Sequence, residues 1–205
     1  MYSGITRGLF TVVNVEKKPG LLCYTVRLNA TLLNNLTVGA SVSIDGACQT
    51  VVAVTGNDVT FNAIQNTLDK TTLFQLHPGC KVSVERSLCY GDEVGGHEVA
   101  GHVIGTAKVV AVMPTENNLK LTIQCNPEWT KFIFPKGFIA VDGSSLTVDQ
   151  VDPKGTFTLH LIPETLRLTN FGNKQVGDLV NIELDHRTQT IVATVERVLA
   201  EMKIA

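Results

Sequence analysis

Long apolar runs are missing from this sequence. No stretch of about eighteen apolar residues is present to span a bilayer as a helix. Met1-Tyr2-Ser3-Gly4 leads directly into a repeated segment rather than into a basic and then apolar leader. The expectation is a cytoplasmic protein that does not bind membranes. Runs of lysine and arginine are missing as well: 17 basic against 19 acidic residues leave a formal charge of −2, without the basic footprint of a nucleic-acid surface. The five cysteines, Cys23, Cys48, Cys80, Cys89 and Cys125, form an odd set with no CxxC pair. That spacing indicates neither a disulfide frame nor a zinc knuckle, and free, mostly buried thiols are expected. A glycine-rich phosphate loop, a cluster at metal-ligand spacing and a nucleophile elbow are also lacking. With 44% hydrophobic and 18% charged residues, what remains is an ordinary globular composition with a core to bury.

What the chain does have is itself, twice. GASVSIDGACQTVVAV, residues 39–54, returns as KGFIAVDGSSLTVDQV, residues 136–151, with Asp45, Gly46, Thr50, Val51 and Val54 recurring as Asp142, Gly143, Thr147, Val148 and Val151. At the same offset of roughly 97 residues Gly4 matches Gly101, Gly8 matches Gly105 and Asn29 matches Asn126. One residue further out of phase, Ile64, Thr67, Thr71, Gly79 and Glu85 match Ile162, Thr165, Thr169, Gly177 and Glu183. Self-similarity on this scale means two copies of one structural unit.

Each copy opens on a glycine-punctuated stretch that leads into a valine-rich run, TVVNV or KVVAV. β-Branched runs bounded by glycine and proline read as strands. Asn29 and Asn126 are placed to cap short helices over TLLNNL and PEWTKFI, where Pro127 suits a first helical position. SVSID sets Val42 and Ile44 against Ser41 and Ser43, and VTFNAI puts Val59, Phe61 and Ala63 on one face. Six short strands in so small a unit need their edges covered, and closure does that. The expected architecture is all-β: two tandem, similar six-stranded Greek-key barrels over residues 1–97 and 98–187, with a C-terminal α-helix over 188–205. RSLCYGDEVGGHEV, residues 86–99, reads as the linker. In the tail, Ile191, Val195, Val198 and Met202 form a narrow apolar seam that either packs on its own barrel or self-associates.

Chemistry would show where the copies differ in one equivalent place. Cys48 stands where Ser145 does, Ile5 where His102 does, and Asn66 where Glu164 does. Asp45 and Asp142 precede glycine, so turn formation competes with a ligand role; a lone thiol such as Cys48 is commonly just packed. Ser145 and Thr147 share one strand face and can line a cavity or satisfy local backbone. His97 and His102 lie in GGHEVAGHV without a second ligand at metal spacing, which favours proton handling or ligand contact over a metal. His77, His160 and His186 have no such context.

Taken together, MYSGI, DGxCxTV, GGHxxxGHV, KGFIAVDGSSLTV, HLIPETLRLTN and VERVL, in order and at the right spacing, resemble the riboflavin synthase family over nearly the whole chain. The resemblance implies a homotrimer joined by C-terminal helices, here 188–205, with each active site between the first barrel of one subunit and the second of its neighbour. It implies dismutation of two 6,7-dimethyl-8-ribityllumazine molecules to riboflavin and 5-amino-6-ribitylamino-uracil, without metal or cofactor. Carried over by position, the catalytic set is Cys48, His102, Ser41, Ser145 and Asp185. The substrate contacts are Tyr2, Ser3, Gly4, Thr50, Thr67, Asp142, Thr147, Glu164 and Thr165. Some family members dock inside a shell of lumazine synthase subunits, and that association stays open here. The first repeat departs from the family pattern at Tyr2, Ser3, Asp45, Ala47, Gln49, Asn66 and Asp69, whereas the second keeps it nearly intact. Lopsided change of this kind also suits the alternative, a non-catalytic paralogue that holds a lumazine or flavin as an antenna or carrier.

Overall fold

The computed structural model describes residues 1–202. The first barrel is built from β1 (Leu9–Lys18), β2 (Leu21–Arg27), β3 (Ser41–Ile44), β4 (Ala47–Thr55), β5 (Asp58–Ile64) and β6 (Lys81–Arg86). The second uses β7 (Gly105–Pro114), β8 (Leu119–Gln124), β9 (Phe138–Val141), β10 (Ser144–Asp152), β11 (Thr156–Leu161) and β12 (Leu179–Leu184). Both close, the first in the order β1-β2-β5-β4-β3-β6, and the second repeats that cyclic order strand for strand. Closure of six strands needs sharp local bending, and the register slips where it is needed: between Val12 and Asn14 in β1, and between Val109 and Ala111 at the matching place in β7.

The period-two pattern sorts the side chains as expected. Val59, Phe61 and Ala63 are buried beside Tyr24, Leu73 and Val84 in the first core, and Phe157, Leu159 and Leu161 beside Phe171 and Ile182 in the second. Ser43 is the exception in its strand, being buried like its apolar neighbours. Asn29 does cap α1 (Ala30–Leu33), its Oδ1 accepting from Leu32 N–H at 3.0 Å. Asn126 caps a 3-10 turn, Pro127–Phe132, rather than a full helix. IQNTL and IPETL form helices the strand pattern does not announce, α2 (Gln65–Lys70) and α3 (Pro163–Leu168).

The barrels meet back to back through their Asp-Gly turns. Gly46 and Gly143 have φ of +84° and +81°, and a Cβ on Gly46 would lie 2.5 Å from the Gly143 nitrogen. Only glycine permits both the backbone conformation and that approach. Asn181 of β12 crosses the same contact, its side chain bonded to Thr72 and to the Asp45 carbonyl. The tail forms α4 (His186–Met202), with residues 203–205 of the expected 188–205 helix outside the described residues. Its seam does not fold back on its own barrel: Ile191, Val195, Val198 and Met202 are 64%, 51%, 44% and 69% exposed. Among the described residues no helix is long and apolar enough to cross a membrane.

Candidate active site

Each repeat's opening segment is held by its own barrel and serves the other. Glu85, in β6, accepts from Ser3 N–H and Ser3 Oγ, both at 2.7 Å. Its counterpart Glu183, in β12, accepts from the N–H groups of Ala100, Gly101 and His102 at 2.7, 2.9 and 3.1 Å. Burial pushes both carboxyls above the ordinary range, and these donors only partly pull them back. Thus anchored, the Gly4 carbonyl accepts from Ser145 N–H in the second barrel at 2.8 Å, and the Gly101 carbonyl from Cys48 N–H in the first at 2.9 Å. The segments have exchanged barrels.

Two clefts follow. The first, of about 460 Å³, brings Cys48, Asn66 and Thr67 of the first repeat against Gly101, His102 and Val103 of the second. The other, of about 220 Å³, sets Ser145, Glu164 and Thr165 against Gly4, Ile5 and Thr6. A thiol and an imidazole both line the first, and among the described residues neither lines the second. Behind Cys48, the buried Tyr2 hydroxyl donates to Sγ at 3.1 Å; burial, with the Cys48 contact adding, raises the phenol far above its usual range, so it stays a neutral donor.

Ser145 of the second cleft is paired with His97, which borders a neighbouring recess and lies outside the expected catalytic set. His97 Nδ1 lies 2.6 Å from Ser145 Oγ, and the His97 N–H reaches the same oxygen at 3.2 Å. The ring stacks on Phe138. Burial holds it below the ordinary histidine range, with the charge of Asp185 opposing and His186 adding. A neutral imidazole at that distance can take a proton from the hydroxyl. Nothing local in sequence joins position 97 to 145; the signal available was GGHEV itself.

Of the expected site residues, then, Cys48, His102 and Thr67 share one cleft, and Gly4, Ser145, Glu164 and Thr165 the other. Asp185 borders a separate recess with His97 and Phe138 and starts α4 by accepting from Thr188 N–H at 2.8 Å. Burial opposes its charge, but the Thr188 donors outweigh that and hold its carboxyl below the usual range. Ser41, Thr50 and Thr147 lie outside both clefts: Ser41 pairs with Thr50 in the first barrel, and Thr147 with Phe138 in the second.

Tyr2, Ser3 and Asp142 stand behind the clefts rather than lining them. Tyr2 and Ser3 have no exposed surface, and Ser3 is committed to Glu85. Asp142 is buried between the barrels, where Oδ1 accepts from Asn181 N–H at 2.7 Å and Oδ2 lies 3.1 Å from Lys174 Nζ. The altered residues of the first repeat are equally informative. Gln49 points inward and accepts from the Tyr24 hydroxyl at 3.2 Å, and Asp45 braces β6 by accepting from Ser83 N–H at 2.7 Å. Those changes sit in the core and at the barrel contact, leaving Cys48 facing the cleft.

Fold and geometry together define a class: a tandem six-stranded β-barrel protein with a pseudo-symmetric pair of ligand-sized clefts. The Lumazine binding domain model matches residues 3–87 and 100–185, one match on each barrel. The chain belongs to the riboflavin synthase family. It is 43% identical to the riboflavin synthase of Escherichia coli (strain K12) over 201 residues, covering 98% of this chain and 94% of that one. It is 38% identical to the riboflavin synthase of Chlamydia pneumoniae over 200 residues, 98% of each. A solved structure of LumP complexed with riboflavin superposes with a TM-score of 0.84 at 23% identity, over 91% of this chain and 100% of that one, a likeness of fold.

Proposed function

We propose that this protein is a riboflavin synthase: it binds two molecules of 6,7-dimethyl-8-ribityllumazine and moves a four-carbon unit from one to the other, giving riboflavin and 5-amino-6-ribitylamino-uracil. The observation that carries the reading is the meeting of Cys48 and His102, from different repeats, in a cleft whose duplicate holds Ser145, itself bonded to His97 from the neighbouring recess. Two identical reactants suit two like clefts, and the rate gain is largely proximity and orientation plus positioned proton transfer. The reading needs no metal or cofactor and places the enzyme in the cytoplasm.

Turnover between the two clefts requires them to face each other, and α4 offers the means. Its exposed seam would be covered by the equivalent helices of two further copies, giving a trimer that sets the first barrel of one subunit against the second of its neighbour. The test is incubation of purified protein with the lumazine alone. Flavin absorption and fluorescence should grow in without any addition. Stoichiometric ligand binding without turnover would instead make the protein a lumazine or flavin carrier.

A further inference from the structure

The two clefts are alike in backbone and differ in the charged groups at the mouth. Lys70, the last residue of α2, lines the first cleft, together with His102 and the neutral Asn66; among the described residues no carboxylate lines it. Asp69, the carboxylate nearest along the helix, turns away into a neighbouring groove and accepts from Gln65 Nε2 at 2.7 Å. In the second cleft Leu168 occupies the place of Lys70 and Glu164 that of Asn66. Among the described residues no lysine, arginine or histidine lines that cleft, and Glu164 is kept charged by Arg167, whose side chain forks onto it at 2.6 and 2.8 Å. One copy of the pocket therefore carries a lysine at its mouth, and the other a carboxylate already paired with Arg167.

We infer that the first cleft, and not the second, accepts a ribityl ligand whose chain ends in a phosphate monoester. The inference rests on the proposed lumazine-binding role of the clefts. A flat heteroaromatic ring is driven inward by its apolar faces, while the hydroxylated chain keeps its end at the mouth in contact with water. A phosphate there carries close to two negative charges near neutral pH and accepts strong hydrogen bonds. Lys70 Nζ and a ring N–H of His102 are donors on that lip, whereas on the other Leu168 replaces the lysine and Glu164, held by Arg167, offers a phosphate no donor. A phosphorylated flavin so bound would occupy half of the reaction site without reacting, which makes it an inhibitor competitive with the lumazine.

The experiment titrates the full-length protein with riboflavin and, separately, with flavin mononucleotide, following quenching of flavin fluorescence. Flavin mononucleotide should saturate at one per chain and riboflavin at two, and only the former should weaken as salt is raised. Lys70→Met should lower the affinity for flavin mononucleotide relative to riboflavin by about tenfold, the factor one charge-assisted hydrogen bond supplies. The reciprocal change, Glu164→Asn with Leu168→Lys, should admit a second flavin mononucleotide. Riboflavin binding with flavin mononucleotide excluded, or an unchanged ratio in Lys70→Met, overturns the inference and leaves the proposed activity standing. Failure to bind either flavin overturns both.

Discussion

Removing one carboxamide should uncouple the two barrels. Asn181 has no exposed surface; its Oδ1 accepts from Thr72 N–H at 2.7 Å, and its Nδ2 donates to the Asp45 carbonyl at 2.7 Å and to Thr72 Oγ1 at 2.9 Å. All three partner atoms belong to the first barrel. Asn181→Ala strands a buried N–H and a buried C=O, each worth roughly 1–3 kcal/mol when left without a partner. Water entering the vacated space recovers part of that, so the expected loss is about 2–4 kcal/mol. For a chain of this size it corresponds to a fall in Tm of roughly 5–15 °C. Asn181→Asp keeps the volume but sets an acceptor against the Asp45 carbonyl, which cannot donate, and adds charge beside Asp45 and Asp142, so it should cost at least as much. The assay is urea unfolding at fixed protein concentration, followed both by circular dichroism and by Trp129, the single tryptophan, which reports on the second barrel. In the variant the two signals should no longer coincide. A loss under about 1 kcal/mol, or an aspartate variant more stable than the alanine one, would refute the assignment of these bonds.

The neighbouring carboxyl predicts a pH dependence. Burial, with the charge of Asp142 next, pushes Asp45 up to about 8 from an ordinary 3.8, so its contribution to stability is present at low pH and is lost as pH rises through that window. Asp45→Asn, which can still accept from Ser83 N–H, should therefore gain on the native protein between about pH 4 and pH 8, by at most about 1.4 kcal/mol per pH unit; parallel stability profiles would show that Asp45 does not titrate there. At the site, Cys48→Ala and His102→Gln should lower kcat well over tenfold while changing lumazine affinity by less than about threefold. Equal losses in both would reduce the two residues to packing. Deleting the chain from Ile191 onward should give monomers by analytical ultracentrifugation, and a truncated protein that still sediments as a trimer would show that α4 is not the assembly element.

Duplication and barrel closure were legible because they are written in local pattern: a fixed offset, period-two alternation and glycine at equivalent turns. The convergence of Cys48 with His102 was legible only through resemblance, since no spacing rule brings them together. The exchange of opening segments was not legible at all. Gly4 meets Ser145, and Gly101 meets Cys48, only once both barrels are placed, and placement depends on Gly46 against Gly143 and on the bonds of Asn181. The matched pair Glu85 and Glu183 was visible as a repeat without its role, because an alternating strand gives no sign that an inward carboxylate will be met by the N–H groups of a distant segment.

The departures of the first repeat carry different weights once each has an address. Gln49 in place of an apolar residue would leave a bare carboxamide in a barrel core, at a cost of a few kcal/mol, but the Tyr24 hydroxyl meets it there; the second copy has Leu146 and Leu121 at the matching positions and needs neither polar group. That pair is internally compensated and does not touch the cleft. Asp45 is likewise held at the barrel contact, with Lys174 supplying a positive charge between it and Asp142. Burial works against the Lys174 ammonium, but the acidic groups around it, Asp142 first, outweigh it and hold the group above its ordinary range. Asn66 is different: it lines the cleft, nothing compensates it, and its effect is to remove a negative charge beside Lys70. A change absorbed by its neighbours preserves the fold, whereas an uncompensated change at a pocket mouth alters what the pocket admits. By that criterion the first repeat keeps the machinery for lumazine chemistry, and its divergence bears on which ribityl ligands it selects.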